Sequence, residues 1–213
     1  METKEALRSR LLRLMEQWDT VIIILFTVCM SAGMIWYACR WKSPNEAALR
    51  QNVLQTAEIW LGCREADGSH QQIVDRYNAF DPSPRDYKVQ YNDNWCATFG
   101  SAVALETGLD GLIPPECSCE QQILLFEAMG DWQEDERYLP QAGDYIYYVW
   151  DEWRRGDCTA WADHVGIVAD TFGPVIKVIE GNKDDAVGYR YIFLNDITIR
   201  GFGLPNYRRV AAD

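Results

Sequence analysis

The chain has 213 residues and a formal charge of −12, from 20 Lys and Arg against 32 Asp and Glu. That acidic balance argues against nucleic-acid binding, which calls for a basic face. A chain that is 48% apolar and 24% charged is not disordered as a whole, and its length suits one domain plus accessories with a substantial core.

Met1–Asp19 is charged and partly amphipathic, and Val21–Cys39 follows without a single charge. As a helix that run would span ~28 Å at about 1.5 Å per residue, close to a bilayer's hydrocarbon thickness. Trp18 precedes it, and Trp36, Tyr37 and Trp41 sit at its far end, as interfacial aromatics do. The expectation is a single transmembrane helix at about 21–39 that tethers the chain to a membrane. Trp36-Tyr37-Ala38-Cys39 is too bulky for a processing site. Lys4, Arg8, Arg10 and Arg13 lie before the span, against Arg40, Lys42 and Arg50 after it. That excess places the N-terminus inside and the remainder outside the cytoplasm.

Three regions are expected: 1–42, holding the span; a helical lead-in at 43–88; and a main domain at 89–213. In the lead-in, Ser43-Pro44-Asn45-Glu46 has the pattern of an N-cap, first-position proline and capping box. A shorter helix is expected from Ser69, with His70 as a surface or capping residue. Asp81-Pro82-Ser83-Pro84 is a turn. Ser118 and Gln121 cap a helix through Met129. Strands are predicted at Tyr145–Trp150, His164–Asp170, Val175–Glu180, Tyr189–Leu194 and Ile197–Ile199.

The seven cysteines are Cys29, Cys39, Cys63, Cys96, Cys117, Cys119 and Cys158. Cys117-Ser118-Cys119 lacks the paired clusters of a structural zinc site, and Asp81, Asp86 and Asp93 lack the spacing of a calcium loop. No metal or organic cofactor is expected. Cys63, Cys117, Cys119 and Cys158 could form disulfides or remain thiols, and both possibilities stay open.

The chemistry concentrates at Asn92-Asp93-Asn94-Trp95-Cys96-Ala97-Thr98-Phe99. A polar turn with Asn94 as N-cap leads into a helix that stops at Gly108, and Cys96 falls in its first turn. Free backbone N–H groups there favour the thiolate. Bringing a thiol from about 8.5 to roughly 6 takes about 3.4 kcal/mol. A helix terminus supplies only about 0.3–1 kcal/mol, ~2 at most. A nucleophilic Cys96 therefore needs a basic partner.

Only two histidines are present, and His164 opens a predicted strand. A three-residue loop at Thr171-Phe172-Gly173 would place Val168 opposite Ile176 and His164 opposite Glu180, with Asn182 further along the same face. A two-residue loop would turn His164 away from both unless a bulge shifted the register.

Five blocks, Asn94-Trp95-Cys96-Ala97-Thr98-Phe99, Gly143-Asp144-Tyr145-Ile146, His164-Val165-Gly166-Ile167-Val168, Val178-Ile179-Glu180-Gly181-Asn182 and Ile199 to Tyr207, stand in one order. In them the chain, from about Tyr91 to Tyr207, resembles the CHAP domain (cysteine, histidine-dependent amidohydrolase/peptidase) family of papain-like and NlpC-type hydrolases. The resemblance implies an α+β fold, with the nucleophile's helix packed on an antiparallel sheet. It implies cleavage of peptidoglycan, as an N-acetylmuramoyl-L-alanine amidase or a peptide endopeptidase. Cys96 matches the nucleophile, His164 the base, Glu180 its orienting group and Asn182 a further polar member. The Cys96 N–H and Asn94 are the expected oxyanion donors. A membrane-tethered protease acting on protein, and a catalytically idle interaction module, are the alternatives.

Overall fold

The computed structural model describes residues 30, 44–135, 137–150 and 161–211. The chain divides into two compact units, Met1–Ser43 and Pro44–Asp213. The predicted membrane helix at 21–39 lies, Met30 apart, outside the described residues. Among the described residues, no helix is long and apolar enough to cross a membrane.

The second unit is α+β. Helices α1 (Pro44–Ile59), α2 (Gln71–Asn78), α3 (Cys96–Thr107) and α4 (Cys119–Met129) come first. Strands β1 (Trp132–Gln133), β2 (Tyr145–Tyr148), β3 (His164–Phe172), β4 (Val175–Lys183), β5 (Ala186–Phe193) and β6 (Ile199–Gly203) follow, and α5 (Tyr207–Ala211) closes the unit. The strands form one sheet in the order β1-β6-β2-β3-β4-β5, with every neighbouring pair antiparallel. Of the predicted short strand at Ile197–Ile199, Ile197 and Thr198 form the turn and Ile199 opens β6. Neither β1 nor α5 was expected.

Helix ends follow local chemistry, with corrections. Ser118 caps α4 as expected, its hydroxyl accepting from the Gln121 N–H. Asn94 does not cap α3. Trp95 takes that position without a side-chain bond, because its indole is buried and donates to Glu65 at 2.9 Å. Ser69 does not cap α2 either; its hydroxyl bonds Arg64 and Asp67 instead. Gly108 ends α3 in the left-handed conformation, at φ 67°.

Helix α3 is buried from Cys96 through Leu105, on all sides rather than along one stripe, because it lies between α1 and α2 and the strands β3 and β4. Tyr145, Tyr147, Val165, Ile167 and Ile179 join its core. Their alternates Ile146, Tyr148, Val168 and Val178 form a second cluster, on the opposite face of the pleat.

The β3–β4 turn differs from the expectation. Phe172 pairs with Val175, so the loop is two residues, and Val168 lies opposite Val178 rather than Ile176. The two-residue loop alone would have faced His164 and Glu180 apart. A bulge between Val168 and Asp170 adds one residue and restores their common face. Continuing that register puts Glu180 on the diagonal from His164 rather than directly opposite.

Two of the blocks serve the fold. Asp144 is fully buried; it accepts from Arg50 at 2.8 Å, Tyr138 at 2.6 Å and the Gln141 N–H at 2.8 Å. Tyr207 donates to the Gly143 carbonyl at 2.7 Å and lies under the Arg50 guanidinium. These contacts tie α1 and α5 to the start of β2, far along the sheet from Cys96 in sequence and role.

Candidate active site

The register just described brings Cys96, His164 and Glu180 together at one end of β3. Cys96 is the first residue of α3, and the Ala97 N–H donates to its sulfur. His164 is the first residue of β3, close enough to the Cys96 sulfur for each group to shift the other's proton affinity. Its Nε2 lies 3.1 Å from Glu180 Oε2, which leaves Nδ1 as the ring nitrogen not engaged by the carboxylate. A Cβ on Gly166 would touch the side chains of Val178 and Glu180, so the carboxylate belongs to the face away from α3. The relay therefore passes round the end of the sheet, and it closes only because His164 stands at the strand terminus.

One approach is exceptionally tight. A Cβ on Gly181 would lie 2.3 Å from Phe99 Cβ and 3.0 Å from the Trp95 ring. The absence of a side chain at 181 lets β4 press against the first turn of α3, which fixes Cys96 relative to Glu180.

Burial distinguishes the three roles. Glu180 has no exposure, whereas Cys96 and His164 keep 5% and 8%, so the site is deep yet not sealed. A buried carboxylate needs cationic partners, and Glu180 has two. Arg190 on β5 donates through Nε at 2.7 and 2.9 Å, and His164 supplies the other. Although burial pushes the carboxyl up, these two partners hold it below the ordinary carboxylate range. Tyr148 stacks on the imidazole with centroids 5.9 Å apart, and Trp150 lies at 6.0 Å. These rings restrict how the imidazole can turn.

The electrostatic balance favours a charged pair. The Cys119 S–H and then the His164 ring lower the Cys96 thiol well below its usual value, against burial, which raises it. Burial lowers His164, but hydrogen bonding to Cys96 and Glu180, which accept, outweighs it and raises the imidazole to about 9. A helix terminus supplies only about 0.3–1 kcal/mol, and the lowering at Cys96 comes first from its neighbours Cys119 and His164. Both shifts favour a thiolate beside an imidazolium, a pair that can attack a carbonyl and protonate a departing amine.

Asn182 and Asn94 meet each other rather than His164. Asn182 Nδ2 lies 3.5 Å from Asn94 Oδ1, and Asn182 has a positive φ of 54° at a β4–β5 irregularity that turns it out of the strand's alternation. Among the described residues, the hydrogen bond Asn182 makes is to the Asn94 loop; a role for it beside His164 remains an expectation from the sequence. Asn94 is exposed, two residues before Cys96, whose N–H lies in the unpaired first turn of α3. His70 is not at the surface. It is 3% exposed, with Nε2 at 2.9 Å from the Tyr91 carbonyl and its ring against Trp95.

Sequence reasoning missed Cys119, Arg190 and Tyr148. Cys119 opens α4 and its sulfur lies 3.6 Å from that of Cys96. Arg190 could have been found from the Asp184-Asp185 turn. Lys183 pairs with Ala186 across it and both aspartates have positive φ, a tight primed-type hairpin that brings β5 back alongside Glu180.

No protein-family model and no curated protein matches the chain. Among solved structures, it is similar to Ly7917 with the hydrolyzing product of MDP, at 13% identity and a TM-score of 0.41 over 73% of this chain and 62% of that one. It is also similar to a second structure of Ly7917, at 12% identity and a TM-score of 0.43 over 74% and 62%. The chain thus spans less than two thirds of the length of either, and similarity at this level assigns neither fold nor activity.

Proposed function

We propose that this chain is a cysteine-dependent amidohydrolase of peptidoglycan with a papain-like, CHAP-type site. The observation that carries the reading is the unbroken series of contacts from Cys96 through His164 to Glu180, with the sulfur at a helix N-terminus. The five sequence blocks support peptidoglycan as the substrate, at either the muramoyl–L-alanine bond or a bond within the stem or cross-bridge peptide.

The mechanism follows from the charges. Thiolate Cys96 attacks the amide carbonyl carbon, and the oxyanion forms near the Cys96 N–H, with the Asn94 amide as the second donor. His164, an imidazolium at this stage, protonates the departing amine, and the C–N bond breaks to leave a thioester. Neutral His164 then takes a proton from water, and the hydroxide hydrolyses the thioester and regenerates the thiolate. Glu180 keeps the ring in the tautomer that presents Nδ1 to sulfur and stabilises its charged form. The apolar run at 21–39 serves in this reading as a single-pass anchor, with Pro44–Asp213 acting outside the cytoplasm.

Digestion of purified peptidoglycan and of denatured protein by the full chain tests this. Release of amine-terminated wall fragments by the wild type, and none by Cys96→Ala, is expected. Equal release by Cys96→Ala would sink the reading, and cleavage of the denatured protein alone would point to a protease.

A further inference from the structure

We propose that Cys119 is a resolving thiol: after a hydroperoxide oxidises Cys96, Cys119 closes it into a reversible disulfide that switches the site off. The switching rests on the reading of Cys96 as the nucleophile, whereas the pairing rests on geometry. The two sulfurs lie 3.6 Å apart and are the first residues of two helices whose N-termini converge. A disulfide needs S–S near ~2.05 Å, so about 1.5 Å must close, a distance within the scope of side-chain rotation at both residues.

The neighbouring thiols are engaged elsewhere. Cys117 accepts from Arg85 Nη2 at 3.3 Å, and Cys63 from Gln72 Nε2 at 3.2 Å. Cys158 lies outside the described residues. Cys96 and Cys119 are only 5% and 7% exposed.

The chemistry balances. Thiolate Cys96 attacks one oxygen of hydrogen peroxide, the O–O bond breaks, and a sulfenic acid and hydroxide form. Hydroxide takes the proton of the Cys119 thiol to give water. The Cys119 thiolate attacks the Cys96 sulfur, the S–O bond breaks, and the departing hydroxide takes a proton from the His164 imidazolium. Two electrons have passed from the two sulfurs to the peroxide, and two waters have formed.

The order of events is built into the pair. The Cys96 thiolate, with burial, keeps the Cys119 thiol well above its usual value, so at rest Cys119 is a donor and not a competing nucleophile. Conversion of Cys96 to a neutral sulfenic acid removes that negative neighbour and lets Cys119 ionise. A dithiol reverses the closure and restores the thiolate. Without Cys119, the sulfenic acid can continue to the sulfinic and sulfonic states, which a dithiol does not reverse.

The test treats the full chain with a few equivalents of hydrogen peroxide and maps its peptides without reduction. A Cys96–Cys119 cross-linked peptide is expected, with loss of wall-digesting activity and recovery in dithiothreitol. In Cys119→Ala and Cys119→Ser, the fraction of each variant's own activity recovered should fall about tenfold or more. Cys96 should then be found as sulfinic or sulfonic acid. Wild-type Cys96 found over-oxidised and unpaired, or joined to Cys63, Cys117 or Cys158, overturns the proposal. A Cys96–Cys119 link in a chain that never digests wall would uphold the pairing while the functional reading fails. Activity without that link would do the reverse.

Discussion

Replacing Gly181 with alanine should detach the nucleophile's helix from the strand that carries Glu180. The added Cβ would sit 2.3 Å from Phe99 Cβ and 2.7 Å from its Cγ. Carbon atoms rest at about 3.5–4.0 Å, so roughly 1.2 Å of separation must open. Phe99 Cβ is fixed to the α3 backbone and cannot swing aside, so the helix itself must move. Overpacking of this kind costs about 1–3 kcal/mol, more than the ~0.5–1 kcal/mol that alanine gains over glycine in a strand. At about 2–4 °C per kcal/mol for a unit of this size, a clear drop in Tm follows. A displacement near 1 Å at reacting groups costs about 10²-fold in rate, so the loss of activity should be larger than the loss of stability suggests. Thermal unfolding followed by circular dichroism, alkylation of Cys96 by iodoacetamide, and peptidoglycan digestion read the three effects separately. Wild-type Tm together with a wild-type digestion rate in Gly181→Ala would refute the claim that this contact sets the site.

Four further outcomes are expected. The digestion rate should fall as pH rises through about 9, because the imidazole raised to about 9 then loses the proton it gives to the amine. The acid limit lies where the lowered Cys96 thiol regains its proton, and the two limits belong to the coupled pair; a flat profile through pH 9 would contradict this. Glu180→Gln removes a cause that raises His164, so the alkaline limit should move to lower pH and kcat should drop about 10²–10⁴-fold; an unmoved limit in the pH–rate profile would count against the orienting role. Arg190→Gln leaves Glu180 with His164 as its remaining cation and should cost about 1.5–3 kcal/mol in urea unfolding, the worth of a hydrogen bond to a charged group; a cost below ~0.5 kcal/mol would show the ion pair to be idle. Asp144→Ala leaves the buried Arg50 guanidinium with Glu46 and the Ala142 carbonyl and should cost about 1.5–3 kcal/mol in urea unfolding, the worth of a hydrogen bond to a charged group, while folded protein at low temperature keeps its digestion rate per molecule.

The positions of Cys96 and His164, the proposed nucleophile and base, were legible in the sequence because each carries its own local signal: a cysteine opening a helix and a histidine opening a strand. The carboxylate was legible only through strand parity, and parity survived for a reason the sequence did not announce. The two-residue turn after Phe172 and the bulge near Ala169 are two shifts that cancel. Asn94 looked like a cap because of its residue type, but the burial of Trp95 and its bond to Glu65 moved the helix start by one residue. His70 looked exposed because its helix is short and polar, yet tertiary packing against Trp95 buries it. Cys119 and Arg190 reach the site from elements 23 and 10 residues away from their partners. Only the packing of α4 and the tight β4–β5 turn bring them there.

The central claim is that the Cys96 sulfur becomes acylated by the substrate. Intact-mass and peptide mass spectrometry of the full chain, quenched in acid during turnover of soluble peptidoglycan fragments, reads this directly. A mass increment on the Cys96 peptide is predicted, equal to the acyl half of the cleaved amide, so its value also tells a muramoyl group from a peptide. Turnover without any adduct on Cys96, or an adduct on another residue, would contradict the account.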